Sequence, residues 1–347
     1  MPDPVRLAFV GTGGRSISEM LELTQMEGVA LAGFCDVAPD RCAAALREVN
    51  AALARAGRSP IEVPFFGDAG AMVAATKPDG VYVSVPPFAH GPAEHAALDA
   101  GCALFVEKPV ALEMALGMEI AEHARAAGVV TCVGYQLRYT DTAARARALL
   151  AGRAVGMALA TRFGDVPGAP WWRVDRQGGG MLVEQHTHGV DMLRFLVGDV
   201  ETVYAQEDTR LLAGRADLPG LDIPDVEAAT LRFASGAIGV VADSCALIGG
   251  VRLPGAGGTQ ILAQGLGLSL GGPLQASFEG GQVEQLPGTG PCDRRLNEAF
   301  VQAIRTGDRS AILSDYDEGL ATFAVTYACR VSARQGRPVR IAELYEG

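Results

Sequence analysis

Residues 5–16 read Val5-Arg6-Leu7-Ala8-Phe9-Val10-Gly11-Thr12-Gly13-Gly14-Arg15-Ser16, a short apolar run that stops on a glycine turn. The run has the length and content of a buried strand, and the pattern from Ser16 to Met26 has helical spacing. Gly11 permits a sharp strand-to-helix turn, where a side chain would clash. Gly13 lets the backbone approach a pyrophosphate, which then sits on the exposed N–H groups and positive dipole end of the helix. Ser16 stands where a third glycine is usual and is still small enough for close helix packing. The next apolar run, Val29–Cys35, ends at Asp36, about 20 residues past the glycines. A carboxylate there accepts from ribose hydroxyls and repels a 2′-phosphate, so NAD is expected over NADP; the plainer alternative is a cap on the next helix.

Working outward, further apolar runs occur at 80–85, 103–106 and 129–134, separated by helical patterns at 39–56, 89–101 and 112–127. This alternation implies parallel strands and right-handed crossovers, a doubly wound Rossmann-type α/β domain over 1–134. Beyond residue 135 the character changes. A helical stretch (141–151), a strand-like run (157–163), and a glycine-rich loop and helix around 178–197 precede many short β-like runs between 200 and 286. The segment 233–251 reads as two strands, and 249–258 as a long hairpin. The expected second domain, 135–347, is α/β with a largely antiparallel open sheet. It closes on helices near 294–305 and 315–334, the terminal helix packing back on the first domain.

The net charge of −11 argues against nucleic acid and anionic membrane as partners. With 49% hydrophobic and 20% charged residues, the chain has ample material for buried cores. No signal-peptide pattern is visible at the start. Seven cysteines, none in a C-x-x-C pair, fit a reducing cytoplasm.

Two stretches carry chemistry. Glu107-Lys108-Pro109 follows a strand, at the edge where doubly wound folds bind ligands, so the Lys108 ammonium is placed to hold a substrate hydroxyl. In 178–191 (GGGMLVEQHTHGVD), a continuous helix puts Glu184, His188 and Asp191 on one face and His186 opposite. Glu184 would then orient His188 as a general base. A rival strand reading puts Glu184, His186 and His188 on one face as metal ligands; the preceding glycines and later spacing favour the helix, and no metal is expected. Trp171 and Trp172 lie in a Pro-containing loop and suit either stacking on a sugar face or core packing. Arg138 suits a substrate contact or, more simply, a structural ion pair.

Together with Ser84-Val85-Pro86-Pro87-Phe88-Ala89-His90 and His188-x-x-Asp191 running to Gly198, these pieces resemble the Gfo/Idh/MocA oxidoreductases over nearly the full chain. The resemblance implies bound NAD or NADP and hydride exchange with a secondary alcohol carbon of a sugar or cyclitol. It implies Lys108 and His188 as catalytic residues, with Glu184 where the family often has Asp. Gly11, Thr12, Gly13, Gly14, Arg15, Ser16, Asp36, Ser84, Pro86, His90, Glu107, Lys108 and Gln136 are expected at the cofactor. Lys108, Arg138, Trp171, Trp172, Glu184 and His188 are expected at the substrate, and the open sheet at a homodimer or homotetramer interface. The competing functions are a redox-neutral NAD-dependent glycoside hydrolase and a non-catalytic dinucleotide-sensing regulator.

Overall fold

The computed structural model describes residues 3–346 except 254, 256 and 289. The chain divides into two compact units: 1–110, 115–136 and 291–319 form the first, and 111–114, 137–290 and 320–347 the second.

The first unit alternates β1 (Val5–Val10), α1 (Gly14–Leu23), β2 (Val29–Cys35), α2 (Pro39–Arg55), β3 (Phe65–Phe66), α3 (Ala69–Thr76), β4 (Gly80–Val83), α4 (Pro92–Asp99), β5 (Ala103–Val106), α5 (Met114–Ala127) and β6 (Thr131–Val133). The six strands are parallel in the order β3-β2-β1-β4-β5-β6. The order reverses between β1 and β4, which places the ligand crevice beside the end of β1. The sequence reading omitted β3 and α3. Two residues are too few to show a period, and α3 is apolar on most sides. Phe9, Tyr82 and Phe105 are register partners on β1, β4 and β5, and their rings stack at 4.7 and 4.3 Å. Helix α10 (Cys292–Thr306) belongs to this unit. Its buried stripe of Leu296, Ala299, Phe300 and Ala303 brings Phe300 edge-on to Tyr82 and Phe105 at 5.5 and 5.7 Å. The first unit is therefore not contiguous in sequence.

The second unit holds α6 (Asp141–Leu150), β7 (Val155–Phe163), α7 (Asp175–Gly178), α8 (Gly180–Glu184), α9 (Thr187–Val197), β8 (Val200–Asp208), β9 (Val226–Phe233), β10 (Ile238–Ser244), β11 (Gly258–Ala263), β12 (Leu266–Leu270), β13 (Leu274–Phe278) and β14 (Val283–Leu286). The last long helix, α11 (Tyr316–Gln335), from residue 320 on, and β15 (Val339–Arg340) also belong here. The nine strands run β14-β13-β12-β11-β7-β10-β9-β8-β15, all antiparallel except β7 with β10. Two sequence expectations give way. Segment 233–251 yields one strand, β10, followed by irregular chain. Segment 249–258, of which 254 and 256 lie outside the described residues, is not a hairpin, because β7 lies between β10 and β11. One sheet face carries the core of Ala158, Ala160, Leu193, Leu231, Phe233 and Ile261. Among the described residues no helix is long and apolar enough to cross a membrane.

Candidate active site

In the first unit the cradle forms where β1 turns into α1. Gly11 has φ +82°, and a Cβ there would lie 2.1 Å from the carbonyl oxygen of Ser84. Only glycine tolerates both constraints. A Cβ on Gly13 or Gly14 would meet nothing within 4 Å, so the space over the start of α1 is open. Gly13 is the N-cap and offers no side-chain acceptor, so among the described residues no N-cap side chain engages the first N–H groups of α1. Open space over such a helix start suits a pyrophosphate. Asp36, at the end of β2, is buried. Its Oδ2 accepts from the Thr12 backbone N–H and Oγ1, both at 3.0 Å, and its Oδ1 accepts from the Ala38 N–H at 3.0 Å. Asp36 thus also braces the cradle, a duty the sequence did not reveal. The Ser16 hydroxyl donates to the Gly11 carbonyl at 2.6 Å, tightening the same turn.

Arg15 pairs with Glu19, with Glu107 at 2.7 Å and with Asp293 at 2.8 Å. Burial would lower the guanidinium, but these three carboxylates hold it well above its ordinary value. Its charge is spent internally, so the attraction of the cradle for an anion comes from backbone N–H groups. Burial pushes Glu19 up to about 8 against the pull of Arg15. Lys108 follows β5, and its backbone N–H donates to Glu107 at 3.3 Å. His90 is buried with Nδ1 2.5 Å from Glu94, which also accepts from the Gly91 N–H. Burial would raise Glu94, but His90 and that N–H hold it below the ordinary carboxylate range. Pro86 precedes a single 3-10 turn over 87–89, and Gln136 opens another over 136–139.

The second unit supplies the histidines and corrects their spacing. The helix breaks after Glu184: the N–H of His186 reaches back five residues to the Met181 carbonyl at 2.8 Å, and α9 starts at Thr187. The wide turn shifts the helical phase between Glu184 and His188 away from that of one continuous helix, and 184–188 is not the strand that a metal set would need. The Glu184 carboxylate accepts from the Trp172 indole at 2.6 Å and from the Gln185 amide. Trp172 is packed with Met181, Leu212, Ile223 and Cys245, which removes it from any sugar-stacking role; Trp171 is half-buried beside that cluster. Arg138 is buried in a fork with Asp191 at 2.7–3.1 Å, and Asp191 also accepts from Thr322 at 3.0 Å. Arg138 therefore secures α9 and is not free to grip a substrate. Burial raises Asp191 despite these partners.

His186 turns inward, its Nδ1 3.0 Å from Asp243 on β10. A Cβ on Gly189 would lie 2.4 Å from His186 Nε2, so glycine is needed for that ring to pass under α9. His188 lines a cleft of about 390 Å³ with His186, Gln185, Arg162, Thr142 and Thr161. Sequence reasoning missed Asp243, Gln185 and Arg162. Asp243 left one signal, its phase with buried Val241 on β10; its cross-strand partner is the buried Glu227.

Glu227 also faces Glu207 across β8. Burial, then Asp243 and Glu207, push the Glu227 carboxyl well above its ordinary value. The folded state therefore favours neutral Glu227. That stabilising contribution is fully present below the ordinary carboxyl pKa of about 4.3 and is lost as pH rises through the raised value. Glu227→Gln is expected to stabilise the protein by about 1–4 kcal/mol near neutral pH. Thermal melts should show the gain growing between acidic and mildly alkaline buffer. A lower Tm for the variant in alkaline buffer would mean that the charge is needed.

Comparison with known proteins agrees with this geometry. The family described as "Oxidoreductase family, NAD-binding Rossmann fold" matches residues 5–135, and the "GFO/IDH/MocA C-terminal domain" matches 144–254. The y4oX protein of Sinorhizobium fredii is 30% identical over 285 residues, 76% of this chain and 77% of that protein. The myo-inositol 2-dehydrogenase of Thermotoga maritima is 25% identical over 244 residues, 69% of this chain and 68% of that one. The chain spans only 23% of the length of another curated relative. The solved WlbA dehydrogenase from Bordetella pertussis, in complex with NADH and UDP-GlcNAcA, is 25% identical; the match covers 97% of this chain and 98% of that one, with a TM-score of 0.77. With a glycine cradle braced by Asp36 in the first unit and both domain families matched, the chain belongs to the GFO/IDH/MocA family of NAD-binding oxidoreductases.

Proposed function

We propose that the protein oxidises a secondary hydroxyl of a sugar or cyclitol. The observation that carries this reading is the His188 cleft, lined in part by Thr142, Thr161, Arg162 and Gln185 and of monosaccharide scale, in a chain whose first unit has an NAD-binding fold. Names among its relatives point the same way: an inositol dehydrogenase, and a dehydrogenase holding NADH with a nucleotide sugar. NAD, when bound, supplies the hydride acceptor. In this reading Gly11, Thr12, Gly13 and Gly14 hold the pyrophosphate, and Asp36 disfavours the 2′-phosphate of NADP. His188 takes the hydroxyl proton, and the Lys108 ammonium stabilises the oxyanion that develops. Glu184, fixed by Trp172 and Gln185, is a positioning residue on the helix that precedes His188.

Incubation with NAD and a panel of pyranoses, inositols and sugar acids should give NADH absorbance with at least one of them. Glycoside cleavage without net NADH would replace this reading with the redox-neutral one. Tight NAD binding with no turnover of any kind would replace it with a sensor.

A homodimer or homotetramer is part of the proposal. Ile238, Met157 and Leu262 are register partners on β10, β7 and β11, exposed at 46, 40 and 62% on the uncovered sheet face. Such a contiguous apolar patch suits an interface between copies. Sedimentation should show an oligomer that Leu262→Asp dissociates; a wild-type monomer at all concentrations would refute it. Among the described residues the seven cysteines form no disulfide, which supports a reducing cytoplasm as the compartment.

A further inference from the structure

The His188 cleft has a chemical asymmetry. Among the described residues, no aspartate or glutamate lines it, in a chain that carries 40 of them; its ionisable lining is Arg162, His186 and His188. Arg162 lies at the end of β7, on the same strand face as buried Ala158 and Ala160, so it continues the helix-covered face out to the cleft rim. Its Nη2 donates to the Gln185 side-chain oxygen at 2.7 Å. That bond ties the guanidinium to the turn that carries His186 and His188. Its cross-strand partner, Asp243, bonds His186 through Oδ2, and burial pushes that carboxyl up despite both His186 and Arg162. Among the described residues no carboxylate lies within ion-pair distance of Arg162, and Gln185 is the one acceptor its guanidinium meets.

We propose that the substrate is an anionic polyol, a sugar acid or sugar phosphate whose charged group is seated on Arg162 while its reacting hydroxyl meets His188. The proposal rests on the dehydrogenase reading and adds the substrate class to it. A planar guanidinium held by Gln185 gives two parallel N–H donors to one carboxylate or phosphate, a geometry that neutral hydroxyls do not match. Thr142 and Thr161, which also line the cleft, suit the neutral hydroxyls of the same ring.

The test is calorimetric binding to the full chain, with and without NADH. The ligands are matched triplets of gluco, galacto and manno configuration, each as neutral hexose, hexuronate and hexose 6-phosphate. At least one anion is expected to bind about 10- to 100-fold tighter than its neutral counterpart. The uronate and phosphate arms decide which anion the seat prefers. Arg162→Gln should cut that ratio to near unity, and Arg162→Lys should retain part of it. Because Arg162 is exposed, circular dichroism should show both variants folded. If no anion outbinds its neutral partner, or if Arg162→Gln leaves the ratio intact, the anion seat is wrong. NADH formation from a neutral polyol would then still uphold the dehydrogenase reading. Absence of turnover with every polyol, alongside Arg162-dependent anion binding, would leave the seat standing and remove that reading instead.

Discussion

His188→Ala is expected to lower kcat by about a thousandfold while leaving the affinity for NAD within a factor of about two. Removal of a positioned general base costs about 100- to 10,000-fold in rate. The histidine lies in the first turn of α9 and lines the cleft, so its loss removes the proposed proton acceptor without opening the core around Val190 and Leu193. Stopped-flow hydride transfer and NADH titration separate the two effects. Retention of kcat within threefold would show that the proton leaves by another route.

Gly11→Ala should have a comparably large effect by a different physical cause. At φ +82°, with its new methyl 2.1 Å from the Ser84 carbonyl oxygen, the variant must move β1 away from the β4 end or abandon the turn. The expected cost is about 4 kcal/mol or more, in the range reserved for strained backbone plus overpacking. That corresponds to a Tm lower by about 10 °C, and NAD binding should be lost with it. Gly14→Ala is the matched control. Its methyl meets nothing, and the residue begins α1, so stability should stay the same or rise by about 0.5–1 kcal/mol. NAD affinity should still fall, because the methyl enters the space over the helix start. Equal melting temperatures for the two variants would contradict the role assigned to Gly11.

The local pattern made the first unit legible. Val5–Val10, Val29–Cys35 and Ala103–Val106 are strands to the residue, and Gly11 occupies the left-handed turn its position demanded. Strand and helix periods, glycine turns and the chain reversal at a strand end are all set by neighbours within a few residues. They can be read from one dimension. The family resemblance rested on the same short motifs.

Other features depended on partners far along the chain. The phase of 180–191 depended on His186 turning inward to meet Asp243, 57 residues away. Arg138 found Asp191, Arg15 found Asp293, and helix α10 carried Phe300 to the first unit. A pairing of this kind is fixed by strand register and close packing, which give no period in the sequence. The sequence by itself therefore determined the strand–turn–helix cradle and the two domain types. The tertiary structure alone decided which charges neutralise one another, and which, like Arg162, are left facing the cleft.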